Sequence, residues 1–183
     1  MSKLFIYIKE NYILVSVLLM ASFLRVYHID FQSLWIDEIN TMVEAKPMVT
    51  FAETYRSLSM DLQPPLYFYV LKYLFKVFGY TTLVLRLFSA ALGIAGVLGV
   101  YLLGKELYNK KTGIYATLIL GVNYFHIYYS QEARPYTFLF LFTTLAFYQL
   151  VKFIKSPSYK SALFYGIASC LMLYGHPYGL FSL

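Results

Sequence analysis

Several stretches of this chain are apolar over about the 20 residues that a helix needs to cross a bilayer. They lie at about 5–27, 84–104, 113–130, 135–154 and 159–177. Of the 183 residues, 60% are hydrophobic and only 13% are charged, whereas about a quarter of the residues in a globular domain are charged. A soluble domain is therefore excluded, and the sequence predicts one all-α polytopic membrane domain over residues 1–183.

The segment 64–79 is apolar but short for a span, and its two lysines stand four residues apart on one helical face. We interpret it as an amphipathic helix in the membrane interface. If it does not cross, the loops containing Lys110 and Lys155 lie on the N-terminal side, and most acids lie on the other. The positive-inside rule then predicts a cytoplasmic N-terminus and a long external loop at about 28–83 that carries amphipathic interfacial helices.

The first external loop contains two adjacent carboxylates, Asp37 and Glu38, directly before a helical pattern. One interpretation is structural, since acids in a first turn are stabilised by the helix dipole. The other is catalytic, since an apolar setting raises the pKa of a carboxyl group toward the range of a general base. Both interpretations remain open at this point.

Charged residues in three other segments fall at the same predicted membrane depth. Arg86 opens the second span and is either an interfacial anchor or a bidentate phosphate ligand. Glu132 and Arg134 lie between two spans, as an interfacial pair or as functional groups, and His176 ends the fifth span as a helix cap or a ligand. Because four segments converge on one side of the membrane, the sequence favours a functional site there.

Five motifs in order along the chain carry a family resemblance: SLWIDE, PPLYFY, RLFSAALG, YYSQEARPY and YGHPYGLF. Together they resemble the polytopic glycosyltransferases with the C-type membrane fold. More narrowly, the chain resembles the dolichyl-phosphate-mannose protein mannosyltransferases and their prokaryotic relatives, which include the lipid A aminoarabinose transferases. The resemblance implies inverting transfer of a sugar from a polyprenyl-phosphate donor to an acceptor hydroxyl or amine at the external face of the cell membrane.

By the same resemblance, Asp37 is the general base and Glu38 its catalytic neighbour. The residues expected to bind the donor and its phosphate are Arg86, Glu132, Arg134 and His176. The expected partners are the polyprenyl-phosphate sugar donor, a protein, lipid or glycan acceptor, and membrane lipids, with no nucleic acid. Relatives often have histidine where this chain has Gln63 and proline where it has Phe88, so a proton or metal role at position 63 is not expected.

No cofactor is expected, although carboxylates and His176 could supply ligands to a divalent metal. The glycines of the second span are spaced for close helix packing and do not form a phosphate loop. The apolar sequence runs to the last residue, so we expect the N-terminal part of a longer protein. A transporter or flippase segment for a lipid-linked sugar, or a non-catalytic fragment, is the alternative, but a transport pathway predicts acids in the middle of spans and the sequence places none there.

Overall fold

The computed structural model describes residues 11–182, and every regular element in that range is helical. The α-helices of this range are α1 (Tyr12–Val26), α2 (Ile36–Glu44), α3 (Phe51–Met60), α4 (Leu66–Phe78), α5 (Thr82–Leu107), α6 (Lys110–Gly121), α7 (Tyr124–Gln131), α8 (Tyr136–Lys155) and α9 (Tyr159–Gly175). A 3-10 helix, Pro177–Ser182, follows. The predicted all-α class holds for these residues, whereas the start of the predicted span 5–27 lies outside them.

Among the described helices, α5 and α8 are long and apolar enough to cross a membrane. They have 26 and 20 residues, and at about 1.5 Å rise per residue both can span a hydrocarbon core of about 30 Å. Helix α1 is apolar but shorter, with 15 residues in the described range. Helices α5 and α8 pack against each other, and α5 also contacts α1, α6 and α7.

The apolar stretch 113–130 is not one continuous helix, because α6 ends at Gly121 and α7 begins at Tyr124. Asn123 lies between them with an extended backbone, and its side chain accepts a hydrogen bond from the His126 N–H. An asparagine that satisfies a first-turn amide favours the start of a new helix. Helix α7 can therefore leave the direction of α6 and bring its C-terminal end to the site described below.

Glycines on α5 allow neighbouring helices to approach closely, as their spacing predicts. A methyl group at Gly93 would overlap the side chain of Ser130 on α7, and one at Gly96 would lie 2.9 Å from Phe140 on α8. Near the other end of α5, a methyl group at Gly104 would lie 3.0 Å from a backbone atom of α6. Side chains at these positions would push the helices apart, so the glycines set the distances across the bundle.

The predicted loop 28–83 contains α2, α3 and α4, and α4 packs its aromatic face into the core. Lys76 on α4 is exposed, but Lys72 has no exposed surface and does not share a solvated face with it. The Lys72 ammonium donates to the Val49 carbonyl at 2.7 Å and to the Thr54 hydroxyl at 2.6 Å. The sequence interpretation was therefore wrong for Lys72: the segment before α3 folds over α4 and replaces water around the charge.

We expect Gly93→Ala to lower the melting temperature, because overpacking a close contact costs about 1–3 kcal/mol. Gly166→Ala on α9 is the matched control, since no atom lies within 4 Å of an added methyl group there. Alanine is a better helix former than glycine by up to about 1 kcal/mol, so the control should be neutral or slightly stabilising. Thermal unfolding in detergent, followed by circular dichroism, compares them. Equal melting temperatures for the two variants would contradict the packing role of Gly93.

Candidate active site

The centre of the site is a buried ion pair between Arg86 at the start of α5 and Glu38 in the first turn of α2. The Arg86 Nε donates to Glu38 Oε1 at 2.9 Å, and Nη2 donates to Oε2 at 2.7 Å. Only 5% of Arg86 and 1% of Glu38 are exposed. Such a pair requires near-ideal geometry and additional hydrogen bonds, because removing two charges from water is costly.

The remaining donors of Arg86 bind the chain that follows α1. Nη1 donates to the carbonyl oxygens of Ile29 at 3.0 Å and Gln32 at 2.7 Å, and Nη2 donates to that of Ser33 at 3.4 Å. All five N–H groups of a guanidinium are thereby engaged. Arg86 thus neither extends to the interface as an anchor nor keeps a donor for a phosphate in this arrangement.

Glu38 also connects the ion pair to the turn between α7 and α8. Its Oε1 accepts a hydrogen bond of 2.9 Å from the backbone N–H of Ala133, which is fully buried. The same carboxylate therefore holds α2, α5 and the turn that carries Glu132 and Arg134. Loss of any one partner would leave a buried charge or amide unpaired.

Glu132 ends α7 beside this pair, with 6% of its surface exposed. Burial, together with the negative charges of Glu38 and Asp37, raises the pKa of Glu132 to about 7, and the positive charge of Arg134 only partly opposes this. A carboxyl group that titrates near neutral pH can exchange a proton with a substrate hydroxyl. Glu132 is therefore a chemically competent group and not only a member of an interfacial belt.

Asp37 lies in the first turn of α2 and is half-buried. Its backbone carbonyl accepts a hydrogen bond from the Thr41 hydroxyl at 2.8 Å. Within residues 11–182, no hydrogen bond or ion pair engages its carboxylate, in contrast to that of Glu38. The negative charge of Asp37 contributes to the raised pKa of Glu132, so the carboxyl groups of Asp37 and Glu132 influence each other. The Asp37 carboxylate is open to a new partner.

Arg134 and His176 supply the nitrogen donors of the site, and Arg134 carries the positive charge. The Arg134 Nη1 makes one long hydrogen bond, 3.5 Å to the Thr41 hydroxyl, and its Nε is buried without a partner among the described residues. His176 follows α9, and its Nδ1 accepts the Tyr178 N–H at 3.1 Å. Burial and the charge of Arg134 lower the pKa of His176, so a neutral imidazole can donate through Nε2.

A cavity of about 490 Å³ opens beside the ion pair. Its polar wall contains Glu38, Arg86 and Glu132, whereas Asp37, Arg134 and His176 are not part of its lining. Its other wall is aromatic and apolar, with Tyr27, His28, Phe31, Trp35, Tyr124 and Tyr128 among its members. Aromatic faces next to carboxylates suit a ligand that presents both C–H surface and hydroxyl groups.

Comparison with known proteins shows the family to which this chain belongs. The family model described as dolichyl-phosphate-mannose-protein mannosyltransferase matches residues 62–180. The chain belongs to this family. The match includes Arg86, Glu132, Arg134 and His176, and it begins after Asp37 and Glu38, which lie on α2.

Two curated proteins are similar to parts of this chain. A Pyrococcus horikoshii protein named dolichyl-phosphooligosaccharide-protein glycotransferase 1 is 30% identical over 120 residues, which are 58% of this chain and 12% of that protein. An uncharacterized Aquifex aeolicus protein is 29% identical over 139 residues, which are 72% of this chain and 28% of that protein. The chain thus matches only a minor part of each relative, and no solved structure matches it. Family membership and the apolar helices together support a membrane glycosyltransferase in general terms.

Sequence reasoning missed Tyr67, which lies on α4 beneath the charged groups. It is fully buried, and its hydroxyl hydrogen-bonds Ser89 Oγ at 3.1 Å. Burial raises the pKa of Tyr67, and the charges that reach it are those of Arg134, Glu38 and Glu132. Tyr67 belongs to the PPLYFY motif and Ser89 to RLFSAALG, so pairing these two motifs was the signal that could have found it.

A second missed group is the buried contact between Arg25 on α1 and His126 on α7. The Arg25 guanidinium is fully buried and donates to His126 Nδ1 at 2.9 Å, and it also donates to the carbonyl oxygens of Ala21, Leu120 and Gly121. His126, which lies in the apolar stretch 113–130, is therefore a buried and hydrogen-bonded residue. Carbonyls freed where α6 ends require a donor, and Arg25 supplies it.

The described residues contain no group of three or more histidine, cysteine, aspartate or glutamate side chains arranged to hold a metal ion. Both carboxylate oxygens of Glu38 are already engaged by Arg86 or Ala133. The divalent metal considered from the sequence therefore has no preformed ligand set in this part of the chain.

We expect Glu132→Gln to stabilise the protein more at pH 8 than at pH 5. The folded-state pKa of about 7 lies above the ordinary value of 4.5, so wild-type stability falls as pH rises from about 4.5 to about 7, where the folded state must release a proton. Glutamine stays neutral and removes this loss. Melting temperatures at the two pH values test the difference.

The control is Glu53→Gln, because hydrogen bonds from Thr50 lower the pKa of Glu53. That group is ionised in both folded and unfolded states over pH 5–8 and should contribute no pH dependence in this window. A Glu132→Gln variant whose melting temperature differs from wild type equally at both pH values would show that Glu132 is ionised throughout.

Proposed function

We propose that the protein transfers a sugar, in the manner of a mannosyltransferase, from a polyprenyl-phosphate-linked donor to an acceptor hydroxyl or amine, with inversion at the anomeric carbon. Family membership supports glycosyl transfer, and one structural observation carries the finer proposal. The buried pair of Arg86 and Glu38 and the carboxyl group of Glu132 line an aromatic cavity, and the half-buried Asp37 precedes Glu38 with a carboxylate that no described residue engages.

In this proposal Asp37 is the general base. It takes the proton of the acceptor hydroxyl or amine while the acceptor atom attacks the anomeric carbon from the face opposite the phosphate. The bond from that carbon to the phosphate oxygen breaks, and the polyprenyl phosphate leaves with the electron pair. A phosphate needs no protonation to leave, so one base is sufficient and no acid catalyst is required.

Arg134 is the proposed ligand of the donor phosphate. It has a buried Nε without a described partner, whereas every donor of Arg86 is engaged. His176 lies close enough for the charge of Arg134 to lower its pKa, and its Nε2–H can add a neutral hydrogen bond. We therefore assign Arg86 and Glu38 to positioning and Arg134 with His176 to charge stabilisation at the leaving group.

The proposed site faces the exterior of the cell membrane. Arg86 opens α5, Arg134 precedes α8 and His176 follows α9, so all three lie at one end of these helices. The opposite ends of the same helices carry lysines: Lys105, Lys152, Lys155 and Lys160. Because lysine-rich loops stay in the cytoplasm, the end with the site is expected to be external.

Cysteine labelling tests this orientation. In a Cys170→Ser background, we expect Asp61→Cys in the segment after α3 to react with an impermeant maleimide in intact cells. Lys110→Cys at the start of α6 should react only after the membrane is permeabilised. Reaction of Lys110→Cys from outside would invert the proposed orientation and remove the site from the external face.

Asp37→Asn tests the general base. We expect transfer to fall by at least about 100-fold, the usual contribution of a positioned base, with donor binding preserved because the base contacts the acceptor. The control is Asp61→Asn, which removes an exposed acid of the same predicted external loop and should retain full activity. Turnover of Asp37→Asn close to that of the control would leave Asp37 with only its place in the first turn of α2.

Lysine substitutions separate the two arginines. Arg134→Lys keeps the charge but loses the planar fork, so donor affinity should fall about tenfold while the melting temperature stays unchanged. Arg86→Lys cannot reproduce five hydrogen bonds, so its melting temperature should fall strongly. Donor binding and thermal unfolding of both variants distinguish the roles. Weak donor binding by a fully stable Arg86→Lys variant would reverse the assignment.

A further inference from the structure

A second cavity lies at the opposite end of the helices from the candidate active site. It has a volume of about 270 Å³ and is enclosed by the end of α5, the end of α8 and the start of α9. Its polar lining consists mainly of Lys152, Lys155, Lys160, Ser156, Ser158 and Ser161. We call it the lysine cavity, and nothing in the proposed sugar transfer uses it.

The cavity has a strong excess of positive charge. Glu106 is the only acid that lines it among residues 11–182, and Lys155 approaches the Glu106 backbone carbonyl instead of its carboxylate. Lys152 lies over the Tyr148 ring at 5.4 Å, and no described acid forms an ion pair with Lys152 or Lys160. Helix α9, with 17 residues, begins beside them and adds the positive end of its dipole.

Apolar surface continues directly from this charged end. Phe164 on α9 lines the cavity, and the neighbouring Leu163 and Ile167 are 48% and 45% exposed. The cavity also lies at the last residue of α8, one of the two helices able to cross a membrane. A ligand held here would have its anionic group among lysines and serines, and its apolar part along α9.

From this arrangement we propose that the lysine cavity binds the phosphate-bearing headgroup of an anionic membrane lipid, with its acyl chains along the exposed face of α9. Basic pockets between helices at the membrane surface recognise such headgroups by charge and hydrogen bonding. The Ser156 hydroxyl supplies a neutral donor, whereas those of Ser158 and Ser161 bond each other at the start of α9. Lys152 and Lys160 supply the ammonium groups. A free phosphate has the same anionic chemistry but cannot use Phe164.

The test is lipid binding by the detergent-purified protein, measured by native mass spectrometry with phosphatidylglycerol and phosphatidylcholine. In the double variant Lys152→Gln/Lys160→Gln, we expect phosphatidylglycerol affinity to fall about 25-fold, since each lysine near anionic lipid contributes about fivefold. The matched control, Lys105→Gln/Lys111→Gln, removes the same charge at the same end but outside the cavity. It should change the affinity by less than about twofold, since screening weakens distant charges.

Two further measurements distinguish a lipid headgroup from free phosphate. Phe164→Ser should weaken phosphatidylglycerol binding and leave competition by inorganic phosphate unchanged. Inorganic phosphate that binds as tightly as phosphatidylglycerol would overturn the lipid assignment, and equal losses in the cavity and control variants would show only general attraction to anions. The single variant Lys160→Gln controls for misfolding, because Lys160 is exposed and has no described hydrogen bond that its replacement would break. Wild-type lipid affinity in that variant and in the double variant would reject the site.

Discussion

The buried pair of Arg86 and Glu38 is the interaction on which the arrangement of the site depends. Two charges removed from water are tolerated only when each donor and acceptor finds a partner, and here the five guanidinium N–H groups and both carboxylate oxygens do so. The partners come from the chain after α1, from α2, from α5 and from the turn before α8. One saturated network thereby sets the positions of four segments.

The hydrogen bonds of Arg86 and Glu38 also separate positioning residues from the residues proposed to react. Arg86 and Glu38 are engaged in the network, so the proposed mechanism assigns the general base to Asp37 and the binding of the donor phosphate to Arg134. Burial near the pair is what moves Glu132 toward neutral pH, because a second negative charge in a water-poor region is unfavourable. The pair thus both positions the reactive groups and adjusts one of them.

The long helices separate two kinds of charge. At one end of α5, α8 and α9 lie the carboxylates and the arginines of the candidate active site, and at the other end lie the lysines around the second cavity. The lengths of α5 and α8, 26 and 20 residues, keep these ends about 30 Å apart or more. In the proposed orientation, sugar transfer and lipid binding therefore occupy opposite membrane surfaces.

Sequence patterns were informative where a property is local. Apolar length predicted α5, α8 and α9, glycine spacing predicted the close contacts of α5, and the motif order predicted the family, which the match over residues 62–180 confirms. The break at Asn123 was also readable in principle, because asparagine is a preferred helix cap. The roles of individual site residues stay predictions.

The partners of buried polar side chains were decided only by the tertiary structure. Arg86 meets Glu38 across 48 residues of chain, Ala133 meets Glu38 across 95, and Arg25 meets His126 across 101. A charge next to an apolar run fits an interfacial anchor equally well until its partner is known, so the sequence left Arg86 open between an anchor and a phosphate ligand and placed Lys72 on a helix in the membrane interface. The sequence by itself determined which segments are apolar and which residues carry charge, because hydropathy is a property of each residue. Which charge is saturated and which is left for chemistry depends on hydrogen-bond geometry between distant segments, and only the folded chain has that geometry.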